Sequence, residues 1–131
     1  MKTIICGSRH FDNYPFMRDI LHQIVFDKDF PLQITEVVCG MAQGADLLGK
    51  YWAERRDIPV KEFPADWNRY KKGAGAIRNR QMGAYGDATI AFLYPDSRGT
   101  ADMIKVSKQL DLLLYVVYVD KAIWVREPRE W

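Results

Sequence analysis

The sequence predicts an α/β fold of Rossmann-like type: three α/β/α layers around a five-stranded parallel sheet in the order 3-2-1-4-5. Three observations carry this. Short, wholly apolar runs alternate with stretches of helical periodicity along the 131 residues. The runs Ile4-Ile5-Cys6, Glu36 to Cys39 and Thr89 to Tyr94 are each followed by glycine or small polar residues. Strands apolar on both faces are those of a parallel sheet covered by helices on each side.

The elements follow in order. Ile4-Ile5-Cys6 is a strand ending in Gly7-Ser8-Arg9. Phe16, Met17, Ile20, Leu21, Ile24 and Val25 then fall on one helical face, predicting a helix from Phe16 to Phe26 that breaks near Pro31. Glu36 to Cys39 is the second strand, ending in Gly40-Met41-Ala42-Gln43-Gly44-Ala45-Asp46. A helix from Leu47 to Arg56 turns its Leu48 and Trp52 inward, and Val60 to Phe63 is the third strand. A connection rich in aromatic and basic residues runs from Pro64 to Gly75. A helix from Ala76 to Tyr85, a strand at Thr89 to Tyr94, a helix from Thr100 to Leu110 and a strand at Leu113 to Val119 complete the alternation. Residues 120–131, with Trp124 and Trp131, read as a short C-terminal tail on a single domain spanning 1–131.

Composition narrows the function classes. Apolar residues make up 48% and charged residues 27%, an ordinary globular balance. A net charge of +2 argues against bulk attraction to nucleic acid or to a membrane surface. No apolar run reaches the roughly 20 residues that cross a bilayer, and the N-terminal run is too short for a signal peptide. A cytoplasmic location is expected. Cys6 and Cys39 close apolar strands and read as core thiols, with His10 near enough to the Cys6 loop to keep a reactive thiol in view.

In an open α/β sheet, ligands sit beyond the carboxyl ends of the strands, where strand order reverses. With the order 3-2-1-4-5 that point lies between the first and fourth strands. It brings Gly7, Ser8 and Arg9 opposite Ser97, Arg98, Gly99 and Thr100. Backbone amides at the start of a helix favour anions, reinforced by roughly half a positive charge from the helix dipole. Arg78 and Asn79, with Met82 one turn on, precede the fourth strand. The segment from Arg69 to Arg80 holds five cations and no acid. Gly40 and Gly44 let backbone approach a ligand, and Ala45-Asp46 opens a helix where Asp46 can cap it or accept a sugar hydroxyl. Each of these residues also has a bland reading as turn, core or solvated charge. Their convergence on one sheet edge points to a pocket for a phosphorylated ligand.

At these residues the chain resembles a known family. The order GSR (7–9), GMAQGAD (40–46), ADW (65–67), AGAIRNRQM (74–82), DATIAF (87–92) and SRGTADM (97–103) is similar to that of the SLOG superfamily. This superfamily groups the DNA-processing protein DprA/SMF with the Lonely-guy (LOG) enzymes. The nearest resemblance is to the YspA/YpsA-related branch, over roughly residues 3 to 119.

The resemblance implies a Rossmann-like fold and a site for nucleotides or nucleotide-derived ligands; no cofactor or metal is expected. LOG enzymes cleave the N-glycosidic bond of nucleoside monophosphates, using an Arg-Lys-x-x-Met helix and a PGGxGTxxE loop. Arg78, Met82, Gly99 and Thr100 match that pattern. Asn79 replaces the lysine, Pro95-Asp96-Ser97 stands for PGG, and Met103 takes the place of the glutamate. A glycosidase needs a carboxylate that methionine does not supply. Asp102 lies one residue, hence about 100 degrees of helix, away from that place, and Asp46 is the other substitute.

The expectation is therefore a nucleotide-derived ligand bound by Arg9, Arg78, Arg98, Gly99 and Thr100, with Asp46 on the sugar and Trp67 and Tyr70 stacking on a base. A sensor or regulatory module is the leading reading. A LOG-like phosphoribohydrolase or related N-glycosidic hydrolase or transferase is the alternative, with Arg78, Asp46 and Asp102 as weak catalytic candidates. Single-stranded DNA binding through Trp67 to Arg80 is a third. The resemblance also implies a homodimer, for which Trp124 or Trp131 could serve unless they cap a sheet edge.

Overall fold

Alternation of apolar strands and amphipathic helices builds the expected doubly wound sheet. A computed structural model describes residues 1–95, 97–121 and 123–127. The strands are β1 (Lys2–Gly7), β2 (Glu36–Cys39), β3 (Val60–Glu62), β4 (Ala88–Leu93), β5 (Leu113–Tyr118) and β6 (Ile123–Glu127). The helices are α1 (Tyr14–Val25), α2 (Ala45–Glu54), α3 (Trp67–Tyr70), α4 (Ala74–Tyr85) and α5 (Arg98–Gln109). The sheet order is β3-β2-β1-β4-β5-β6.

The first five strands are parallel and lie in the expected order, with Ile5 paired to Ile90 across the central β1–β4 ladder. The sheet has six strands rather than five. Residues 123–127 of the expected tail form β6, which adds antiparallel to β5 with Val116 opposite Val125 and Val117 opposite Trp124. A 3-10 turn at Val119–Lys121 makes the reversal. Trp124 stacks on Tyr115 with ring centroids 5.5 Å apart, and its indole N–H donates to Gln23 Oε1 at 3.0 Å. It thus covers the end of the sheet, while Trp131 and Asp96 lie outside the described residues.

Alternate strand residues feed two cores. On one face Ile5, Val37, Ile90, Phe92, Tyr115 and Val117 pack under α1 and α2, which contribute Met17, Ile20, Leu21, Ile24 and Trp52. On the other face Ile4, Cys6, Val38 and Ala91 meet Met82 of α4 with Met103 and Val106 of α5. The connection at 64–75 is not structureless. It holds α3, capped by Asp66 whose Oδ1 accepts from the Arg69 amide at 3.1 Å, then a 3-10 turn at Lys71–Gly73. α4 starts at Ala74, two residues before the expected start.

Candidate functional site

The β1–β4 boundary opens into a cleft of about 510 Å³ at the carboxyl ends of the strands. β1 runs directly into Ser8, whose carbonyl accepts the amides of Phe11 at 3.1 Å and Ala45 at 3.2 Å. The Ser8 hydroxyl accepts the His10 amide at 3.1 Å. This ties the first loop to the start of α2 and leaves Arg9 and His10 exposed at the cleft mouth.

Gly44 is needed to bring these loops together. Its φ of +83 lies in the left-handed region, and a Cβ there would stand 2.3 Å from the Ser8 carbonyl oxygen. Gly40 leaves room for two charged groups, since an added Cβ would meet Asp46 Oδ2 at 2.7 Å and Arg78 Nη1 at 2.9 Å. Gly40, Gly44 and buried Ala45 therefore shape the cleft from behind and do not line it.

Arg78 reaches the cleft from α4 with its guanidinium fixed at two points. Nη1 donates to the Gly40 carbonyl at 2.7 Å, and Nε donates to Asn79 Oδ1 at 3.1 Å. The remaining donors have no hydrogen-bond partner among the described residues, and a guanidinium held in this way has little rotamer freedom left to lose on meeting an anion. Asn79 is buried and reaches the other way, donating through Nδ2 to Asp102 Oδ2 at 2.8 Å and to the Gly99 carbonyl at 3.3 Å. One amide side chain thus orients the arginine and clamps α4 to the first turn of α5.

That clamp gives the two carboxylates different surroundings. Asp102 is bonded to Asn79 and is not part of the cleft wall, whereas Asp46 is. Asp46 is 4% exposed, and its Oδ2 accepts the Ala42 amide at 3.3 Å. Burial raises its pKa to about 6, against the opposing pull of the Arg78 cation and the amides of Ala42 and Gly7. Cys6 forms part of the floor with its thiol pushed far up by burial, and burial raises Cys39 to about 11. Both are inert thiols at neutral pH.

Opposite Arg78, α5 begins at Arg98 after Ser97, whose hydroxyl makes no capping bond. Among the described residues, nothing lies within 4 Å of the position a Cβ would take on Gly99. The start of α5 is therefore open to the cleft at Gly99. Thr100 and Met103 are buried along the same wall, with Met82 across from them. Trp67, 58% exposed, overhangs the opening. Tyr70 does not line the cleft; it lines a second cavity of about 160 Å³ between α3 and α4, which shares Arg78 as a wall.

The cleft thus brings together Gly7, Ser8, Arg9, Asp46, Trp67, Arg78, Asn79, Met82, Ser97, Arg98, Gly99 and Thr100. It adds Cys6, His10, Ala42 and Met103, of which His10 was legible from its place just after the first glycine loop. Among the described residues, no cluster of three or more His, Cys, Asp or Glu side chains is placed to hold a metal. No helix among them is long and apolar enough to cross a membrane.

The family model described as the YspA, cpYpsA-related SLOG family matches residues 1–70, more than half of the chain. That span holds the Ser8 and Gly40–Asp46 loops and Trp67. Among solved structures, the DNA processing protein A (DprA) from Streptococcus pneumoniae is similar, with a TM-score of 0.67 at 11% identity. The match covers 89% of this chain and 50% of that one. The likeness is therefore one of fold, and this chain spans about half the length of that protein. No curated protein matches the sequence.

Proposed function

The chain belongs to the YspA, cpYpsA-related SLOG family, and from that membership and the cleft we propose that it binds a nucleotide or nucleotide-derived phosphorylated ligand as a sensor or regulatory module. One observation carries the reading: the open, uncapped start of α5 at Gly99 faces a pre-aimed Arg78 across the cleft. A phosphate between them takes backbone N–H bonds from one side and guanidinium bonds from the other. Arg9 and Arg98 add charge at the mouth. The Asp46 carboxylate is an acceptor for sugar hydroxyls, and the exposed Trp67 ring is a stacking surface for a base.

Thermal unfolding against a panel of mono-, di- and cyclic nucleotides tests this. A ligand at a hundred times its dissociation constant adds roughly 2.7 kcal/mol of stability. The matching nucleosides, lacking phosphate, should add far less. A flat response across the panel sinks the proposal.

A second reading is favoured by Asp46 itself. A buried carboxyl raised to about 6 in a cleft is suited to proton transfer near neutral pH. This supports N-glycosidic hydrolysis or transfer on a nucleotide, with Asp46 replacing the glutamate that Met103 lacks. Incubation with nucleoside monophosphates and chromatography for free base decides it. Intact substrate at high protein concentration leaves binding as the function for those substrates.

A further inference from the structure

Residues 67–73 border the cleft through Trp67, with little holding them down. Neither α3 nor the 3-10 turn after it buries a side chain. Where the two meet, Lys71 has φ 53 and ψ −129, the conformation a type II′ turn reserves for glycine. A side chain in that region is strained and persists only where the surroundings enforce it. Here there is space to leave it, because the 160 Å³ cavity lies beneath, bounded by Asp66, Tyr70, Ile77, Arg78 and Gln81. Arg78 is a wall of both that cavity and the main cleft, and Trp67 is the segment's contribution to the cleft rim.

We infer that residues 67–73 form a strained flap that closes on the occupied cleft. Closure lets Lys71 leave its glycine-type conformation, fills the small cavity and carries the Trp67 ring over the bound ligand. Its trigger rests on the proposed phosphate site. Arg69, Lys71 and Lys72, with no acid between them, are drawn toward an anion held by Arg78. Binding and relief of strain thus favour the same closed state, the condition for a ligand to shift a population.

Trypsin digestion under native conditions, with and without 5′-AMP, tests the flap beside thermal unfolding of Lys71→Gly and Lys71→Arg. Without nucleotide, cleavage after Arg69, Lys71 or Lys72 should be about tenfold faster than at sites in the sheet and its packed helices, reflecting local opening. Lys71→Gly relieves the strain of the open form and should raise Tm by roughly 2–6 °C. By stabilising the open state, the same change should weaken 5′-AMP binding about five-fold, with Lys71→Arg unchanged in both respects. The nucleotide should slow cleavage within the segment. An unchanged or lower Tm for Lys71→Gly overturns the flap whatever the ligand does. A Tm increase with 5′-AMP but undiminished cleavage overturns the flap and leaves the cleft reading standing. If 5′-AMP gives neither shift nor protection, the cleft reading fails for this nucleotide and the flap loses its trigger and falls with it.

Discussion

Two residues of the cleft are chosen against the stability of the fold. Gly99 sits in the first turn of α5 with nothing near its missing Cβ, and glycine in a helix costs about 1 kcal/mol relative to alanine. Gly99→Ala should therefore hold or raise stability by up to about 1 kcal/mol in urea denaturation. It should also weaken nucleotide binding by blocking the α5 amides; wild-type affinity in the variant would mean those amides are not used. Asp46 is the sharper case. Its native carboxyl holds a proton more tightly, at about 6, than an unfolded aspartate does at about 3.8. The contribution of that proton to stability is complete below about pH 4 and is lost as pH rises through 6. The two-unit difference corresponds to roughly 3 kcal/mol. Asp46→Asn removes that window, so its stability should exceed wild type at pH 7.5 and converge with it near pH 4. Ligand affinity should fall at the same time. Urea denaturation across that range, with binding measured at pH 7.5, separates the two effects.

Among the elements, the strands were the most legible and the helix contacts the least. Ile4-Ile5-Cys6 and Ala88 to Leu93 are apolar on both faces, so both the strands and their parallel burial follow from the residue types. β6 was hidden because Ile123–Glu127 is an edge strand joined by a 3-10 turn rather than by a glycine hairpin. Its place depends on pairing with β5, a tertiary contact with no local signature. α4 is similar: it buries Ala74, Asn79, Met82 and Gly83, a face made of small and polar groups that shows no apolar stripe. Asn79 therefore looked like a ligand residue alone, when it is also the bond between α4 and α5. Asn79→Ala removes the acceptor for Arg78 and leaves Asp102 and the Gly99 carbonyl without their donor. The expected cost is about 1–3 kcal/mol in chemical denaturation, together with lower nucleotide affinity because Arg78 is no longer aimed. A variant of wild-type stability would show that the clamp contributes nothing to the fold.

At the scale of the molecule, strand order placed the cleft, because the reversal between β1 and β4 is where a doubly wound sheet leaves space for a ligand. Side-chain direction could not be read the same way. Asp102 and Tyr70 lie close in sequence to cleft residues, yet one turns into the helix interface and the other lines the second cavity. Charge is likewise a question of placement, since a net +2 hides the gathering of Arg9, Arg78 and Arg98 at one opening. These cations differ in exposure: Arg9 and Arg98 are exposed, while Arg78 is half-buried and hydrogen-bonded to backbone. Raising salt from about 0.1 M to about 1 M shortens the Debye length from about 10 Å to about 3 Å, screening the first two far more than the third. Wild-type affinity for 5′-AMP should fall about tenfold over that range, as measured by titration calorimetry. An Arg9→Gln, Arg98→Gln double variant should bind more weakly at low salt and lose most of this dependence. Arg78→Gln should bind weakly at every salt concentration. If the double variant keeps the wild-type salt slope, the mouth arginines do not attract the ligand, and the phosphate is held by Arg78 and the α5 amides alone.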